Sequence, residues 1–181
     1  MLDVSVAYNR YKFIGDEFLT WLWFLIENNP DQILAHDPEI VAFDIGNRIV
    51  IENRVNDAKE TISIKGDGAG LEEGLLALKK GGVVIELNLE FKTDQLEWQF
   101  SIKGEHLSVS GLKIPPTGAV ESGDDVEGIV LEKTYLQEKV LKLIDKLFKS
   151  FLGIRLSSQW RENSVPDIKK WIQSSTDPNF K

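Results

Sequence analysis

The sequence predicts an α+β fold: an antiparallel sheet of about five strands, packed by a buried N-terminal helix and a long C-terminal helix. Three stretches support this prediction. Apolar and polar residues alternate over 83–103, which is typical of antiparallel strands with one buried face. Apolar residues recur every three or four positions over about 129–152, which is typical of an amphipathic helix. Residues 18–26 are almost entirely apolar, which indicates a helix covered on most sides.

The N-terminal helix is expected to organise the core. On a helical wheel its polar residues Asp16, Thr20 and Glu27 fall within one narrow sector. We expect four side chains to organise the packing: Phe18, Trp21, Leu22 and Leu25. One side of a sheet cannot cover so wide an apolar surface, so the sequence predicts that the long helix or a partner subunit flanks this helix.

The remaining elements follow from local signals. Predicted strands lie at 2–11, 40–43, 48–54, 60–65, 83–92, 96–103 and 107–114. The strands at 48–54 and 60–65 form a first hairpin that turns through Asn56-Asp57. The second hairpin turns at Thr93-Asp94. Short helices are predicted at 71–80, ending on Gly81-Gly82, and at 167–173. We expect a single domain over 1–181, with a mobile acidic loop at 117–128 and a frayed tail at 174–181.

Composition restricts the compartment and the partners. The absence of cysteine excludes disulfides, thiolate nucleophiles and cysteine-ligated metals, and it favours a cytoplasmic location. The first residues lack the features of a secretory signal, and the apolar stretch at 18–26 is shorter than the ~20 residues that cross a bilayer, so no membrane association is expected. Net charge is −8, but it divides into −12 over 1–127 and +4 over 128–181. Only the C-terminal third can present a basic surface.

No catalytic constellation is present in the sequence. The loop from Gly66 to Gly70 lacks the spacing of a phosphate-binding loop, so a flexible turn is favoured over a phosphate site. His36 and His106 have no second ligand at zinc spacing, and the acidic residues near 124–127 lack the calcium-loop pattern. We therefore expect no catalytic residue, cofactor, metal or small-molecule ligand, and we expect the protein not to be an enzyme. An unrecognised hydrolase remains a third alternative.

The long helix offers the best candidate for binding. A stripe of lysines recurs at steps of three and four residues opposite its apolar seam: Lys139, Lys142, Lys146 and Lys149. This lysine stripe is suited to contact a DNA backbone. The alternative is a solvated face supported by pairs with Glu138 and Asp145, and this alternative is favoured. Tryptophans such as Trp160 are expected in the core, and exposure of Trp160 beside Arg155 would favour base stacking instead.

Several segments together resemble one bacterial family. They are 13–23 (FIGDEFLTWLW), 76–81 (LALKKG), 98–101 (WQFS), 110–115 (SGLKIP) and 148–156. In these segments the chain resembles the C-terminal region of long recombination-associated RdgC-like proteins. The better-known members are DNA-binding, ring-forming dimers that restrain recombinase loading and are often labelled exonucleases. No residue here is matched to a DNA-contacting position of that family.

The resemblance implies a non-enzymatic accessory protein related to RdgC-like recombination factors. We expect such a protein to act by association, and the spacing of the lysine stripe, not the resemblance, indicates the place of any contact with a DNA backbone. The alternative hypothesis is a self-associating structural module with no nucleic-acid role, formed through apolar surface on the first or the long helix.

Overall fold

The computed structural model describes residues 13–55, 58–65, 70–118 and 126–174. The helices are α1 (Phe13–Asn28), α2 (Pro30–Leu34), α3 (Gly70–Lys79), α4 (Val126–Arg155) and α5 (Val165–Ser174). The strands are β1 (Ala42–Val55), β2 (Ala58–Lys65), β3 (Val83–Lys92), β4 (Glu97–Lys103) and β5 (Ser108–Lys113). A π-helical turn (Trp160–Ser164) precedes α5.

The predicted α+β fold is confirmed. The five strands form one sheet in the order β2-β1-β3-β4-β5, and every neighbouring pair is antiparallel. Leu87, Leu89 and Phe91 of β3 are fully buried on the side where the core lies. The residues between them, such as Asn88 and Glu90, point to the opposite, polar face, as the alternation predicts.

Helix α1 is at the centre of the core. The side chains of Phe18, Trp21, Leu22 and Leu25 are each at most 5% exposed. The Phe18 ring lies 5.2 Å from the Phe148 ring of α4, and the Trp23 ring lies 5.3 Å from the Trp171 ring of α5. The flank of α1 that the sheet leaves uncovered is therefore covered within the same chain by α4 and α5.

The beginning of α1 contacts the turn between β4 and β5 very closely. A Cβ atom on Gly15 would lie 1.8 Å from the carbonyl oxygen of Gly104. Only glycine allows this approach, because any side chain at position 15 would overlap the backbone of the turn. The contact fixes where α1 enters the core.

Strand β1 is continuous, whereas the sequence predicted two separate strands at 40–43 and 48–54. The pairing of β1 with β3 shifts register between Ile45 and Ile49, so β1 contains a bulge. Asn88 of β3 occupies this bulge: its Oδ1 accepts a hydrogen bond from the backbone N–H of Asn47 at 3.1 Å. A Cβ atom on Gly46 would lie 2.2 Å from the same oxygen. The bulge interrupts the two-residue period, which is why two strands were predicted.

Other element boundaries also differ from the sequence prediction. Helix α4 begins at Val126 instead of about 129 and continues through Gly153 to Arg155. Helix α2 lies in a stretch predicted to be irregular, where Pro30 suits the first turn of a helix. The predicted strand at 2–11, the glycine loop at 66–69, most of the acidic loop at 117–128 and the tail from 175 lie outside the described residues.

Candidate functional site

The first third of α4 projects from the body of the molecule. None of the residues 126–135 is buried, and all except Ile129 are exposed. From Leu136 onwards the core-facing side chains are buried, with Leu136 5% and Val140 0% exposed. We call residues 126–135 the helix end. The same helix is thus a core element over its last two thirds and a solvent-exposed projection over its first third.

The helix end is strongly apolar despite its exposure. Its large exposed side chains are Val126 (48%), Val130 (56%), Leu131 (63%) and Tyr135 (59%). Leu141, just beyond it, is 54% exposed. At about 100° per residue, Leu131 and Tyr135 share one side of α4, and Val126 and Val130 share another. Clustered exposed apolar side chains of this kind mark a contact surface more often than single ones do.

The lysine stripe has Lys139 as its most buried member. Its side chain is 9% exposed and forms ion pairs with Glu39 and, at 3.6 Å, with Asp37. Its Nζ also lies 5.8 Å from the centre of the Trp98 ring. Burial alone would lower the pKa of Lys139, but the Glu39 hydrogen bond and the charges of Asp37 and Glu39 outweigh burial and raise it. Lys139 therefore ties α4 to the segment before β1.

The other three lysines of the stripe also have acceptors. Lys142 pairs with Glu138 at 2.7 Å and Lys149 pairs with Asp145 at 2.6 Å, each four residues away on α4. Lys146 Nζ donates a hydrogen bond to the carbonyl oxygen of His36 at 3.0 Å. The structure thus brings the four lysines onto one side of α4, with an oxygen close to each ammonium group.

Trp160 does not offer a base-stacking surface, because only 8% of it is exposed. The Arg155 guanidinium lies 5.4 Å from the Trp160 ring centre, and Arg155 Nε is 2.6 Å from Glu17 Oε2. Trp98 is buried as well, and its indole N–H donates a hydrogen bond to the carbonyl oxygen of Leu136 at 3.1 Å. These tryptophans connect helices to the core.

Potential metal-ligating side chains stay apart in the part of the chain that the structure describes. Within the ranges that the structure describes, no group of three or more histidine, cysteine, aspartate or glutamate residues is arranged to hold a metal ion. Asp124 and Asp125 lie outside those ranges. Among the described helices, none combines the length and apolar content that crossing a membrane requires.

The sequence analysis started α4 at about 129 and named apolar surface on the long helix for self-association, but it did not locate that surface at the helix end. A signal was present, since Ile129-Val130-Leu131 is a continuous apolar run that cannot all face one core.

The protein-family models, the curated proteins and the solved structures with which the chain was compared contain no match.

Proposed function

We propose that the chain acts by protein association, as an accessory protein related to RdgC-like recombination factors, and that the helix end is its contact surface. The observation behind this proposal is the exposed apolar content of residues 126–135, where Leu131 and Tyr135 are each more than half exposed. An isolated helix of three turns is marginally stable in water. Packing against a partner stabilises such a helix and removes its apolar surface from water.

The charge pattern along α4 favours a second copy of the chain as the partner. Within α4, residues 126–132 include two acidic residues and no basic one, whereas residues 133–149 include five lysines and two acidic residues. When two copies of such a segment pair in antiparallel orientation, the acidic beginning of each meets the lysine-rich part of the other. A two-fold axis generates this arrangement, with Leu131 of one copy near Tyr135 of its partner.

Sedimentation equilibrium over a concentration series tests this proposal. The wild-type chain is expected to form a dimer, and the double variant Leu131→Ser, Tyr135→Ser is expected to be monomeric. Leu156→Ser is the matched control, because Leu156 is 84% exposed but lies outside the helix end. Far-UV circular dichroism serves as the control that each variant is folded. A wild-type monomer at the highest concentration, or a double variant that dimerises as well as the control, contradicts the proposal.

DNA backbone contact by the lysine stripe is the second candidate function. The side chains of Lys142 and Lys149 are 67% and 72% exposed. Exposed ion pairs four residues apart contribute only about 0.3–0.5 kcal/mol, so a phosphate group can displace Glu138 or Asp145 at little cost. Each ammonium group of the lysine stripe already has an oxygen nearby, so the expected affinity for DNA is weak. This affinity should fall steeply as the salt concentration rises.

Fluorescence anisotropy with duplex and single-stranded DNA at low salt tests this second candidate. Lys142→Glu combined with Lys146→Glu should abolish binding, whereas Lys103→Glu combined with Lys113→Glu, on the sheet, should have a smaller effect. Absence of binding by the wild-type chain, or an unchanged salt dependence in the first double variant, rules this candidate out.

A further inference from the structure

A pocket of about 390 Å³ lies where the beginning of α1, the start of β3, the π-helical turn and α5 meet. Its volume is in the range of small-molecule sites, about 300–1,000 Å³. Apolar side chains form most of its walls, including Phe13, Val83, Trp160, Ile168 and Ile172. Phe13 at the rim is 40% exposed although it is a large aromatic residue. The walls are suited to an apolar group of ligand size.

The π-helical turn shapes one wall of this pocket. It begins at Trp160 and continues directly into α5 at Val165. A π-helical turn is rare and is frequently found at functional sites, because its wider backbone shifts side chains away from their α-helical positions. Here it places Trp160 against the pocket while Ile168 of α5 lines the same space.

Two carboxylates line the pocket, and both are engaged with other groups. Glu17 accepts a hydrogen bond from Arg155 Nε at 2.6 Å. Asp16 is 8% exposed, and one of its carboxylate oxygens faces the β4–β5 turn, 3.1 Å from where a Cβ of Gly104 would lie. Thr20 donates its hydroxyl hydrogen to the backbone carbonyl of Asp16 at 2.9 Å. These polar groups therefore have partners within the fold.

Lys169 at the rim differs from the carboxylates of the pocket, which are engaged with other groups of the fold. Its side chain is exposed, it lines the pocket, and it forms no ion pair with any residue that the structure describes. An ammonium group at the mouth of an apolar pocket complements a ligand with an anionic head and an apolar tail. Arg155 pairs with Glu17, and the Asp16 carboxylate faces the β4–β5 turn, so Lys169 is the charged group at the rim that a ligand head can approach.

We propose that this pocket binds an amphipathic carboxylate, with its alkyl tail against Trp160, Ile168 and Ile172 and its carboxylate beside Lys169. The sequence analysis predicted no small-molecule ligand, because the lining residues are scattered from position 13 to position 172 and converge only in the fold. This site is separate from the helix end and does not depend on the proposed association.

Isothermal titration of the full chain with decanoate and with decanol, both below their aggregation concentrations, tests the head-group assignment. Decanoate is expected to bind the wild-type chain more tightly than decanol. Lys169→Glu should weaken decanoate binding about tenfold or more, which corresponds to about 1.4 kcal/mol, and leave decanol binding unchanged. Lys170→Glu is the matched control, since Lys170 neighbours Lys169 on α5 but does not line the pocket.

A second variant tests the location of the tail. Ile172→Trp should fill the pocket and weaken decanoate and decanol equally. Three results would overturn the proposal: no decanoate binding by the wild-type chain, equal losses in Lys169→Glu and Lys170→Glu, or full binding by a folded Ile172→Trp variant. If Ile172→Trp fails to fold, the comparison of the two lysine variants still decides the head-group assignment.

Discussion

Two glycines that lie in helices differ in the space available for a side chain. Gly15 in α1 is buried, and a Cβ atom there would lie 1.8 Å from the carbonyl oxygen of Gly104. Gly153 in α4 is exposed, and a Cβ atom there would meet no atom within 4 Å. Glycine at position 15 is required by packing, whereas glycine at position 153 only adds conformational entropy to the unfolded chain.

Alanine substitution at these two glycines is therefore expected to change stability in opposite directions. Gly153→Ala should raise the free energy of unfolding by about 0.5–1 kcal/mol, because alanine is the better helix former. Gly15→Ala should lower it by at least about 2 kcal/mol, because α1 must move away from the β4–β5 turn. Urea unfolding followed by tryptophan fluorescence measures both. A neutral Gly15→Ala would mean that the helix and the turn separate without loss of core packing.

At the scale of the elements, α4 is fastened to the sheet near its middle. Trp98 of β4 donates its indole hydrogen to the carbonyl oxygen of Leu136, and Lys139 reaches the carboxylates of Asp37 and Glu39. The two attachments lie one and four residues beyond the helix end. They determine where α4 leaves the body of the molecule, and hence how much of it projects.

Removing the charge of Lys139 should release part of this attachment. Lys139→Met is expected to lower the free energy of unfolding by about 1–2 kcal/mol, because it leaves Asp37 and Glu39 without their cation. Lys142→Met, which breaks only an exposed pair within α4, should change it by less than about 0.5 kcal/mol. Thermal or urea unfolding of the two variants side by side distinguishes them. Equal effects would show that Lys139 is no more than another surface lysine.

The elements predicted well are those whose signal is local. Alternation identified β4 and the buried face of β3 from Leu87 onwards, because the period of two reports which side a residue occupies. It was wrong at the start of β3, where Val84 is fully buried and Val83 and Ile85 are only partly buried, because the pairing with β1 shifts register between Val50 and Ile51. The continuity of β1 was not predictable in this way, since Asn88 bonds to Asn47 across 41 positions. The sequence indicated Glu138 and Asp145 as partners of the lysine stripe, because they lie four residues from Lys142 and Lys149 on the same helix. The pairing of Lys139 with Glu39 spans 100 positions, so the sequence did not indicate it.

At the scale of the whole molecule, protection from solvent should differ sharply between the centre of the sheet and the helix end. Strand β3 is hydrogen-bonded on both sides, by β1 and by β4, and its core-facing residues are fully buried. The helix end has no buried residue among positions 126–135. Such a helix opens at a low free energy when nothing covers it, whereas β3 opens only in global unfolding.

Hydrogen exchange measured at two protein concentrations is expected to distinguish the amides of β3 from those of the helix end. Amides of Leu87, Leu89 and Phe91 should exchange most slowly at either concentration. Amides of the helix end should exchange rapidly in dilute solution and more slowly at high concentration, because association covers them. In the double variant Leu131→Ser, Tyr135→Ser the concentration dependence should disappear. Concentration-independent protection of the helix end in the wild-type chain would contradict this expectation.

The fit of Asn88 into the bulge of β1 also restricts how the two strands can mispair during folding. Sliding β1 by one residue would turn its apolar side chains away from the core, and the loss of their burial disfavours this slip. Sliding it by two residues keeps the apolar residues on the correct face, although it would move Asn47 to the core-facing position of Ile45 or Ile49. Such a slip would place Asp44 or Arg48 where Gly46 now lies, and the Cβ atom of either would overlap the Asn88 amide. Gly46 and Asn88 thus add a steric barrier to a slip that preserves the alternation of faces.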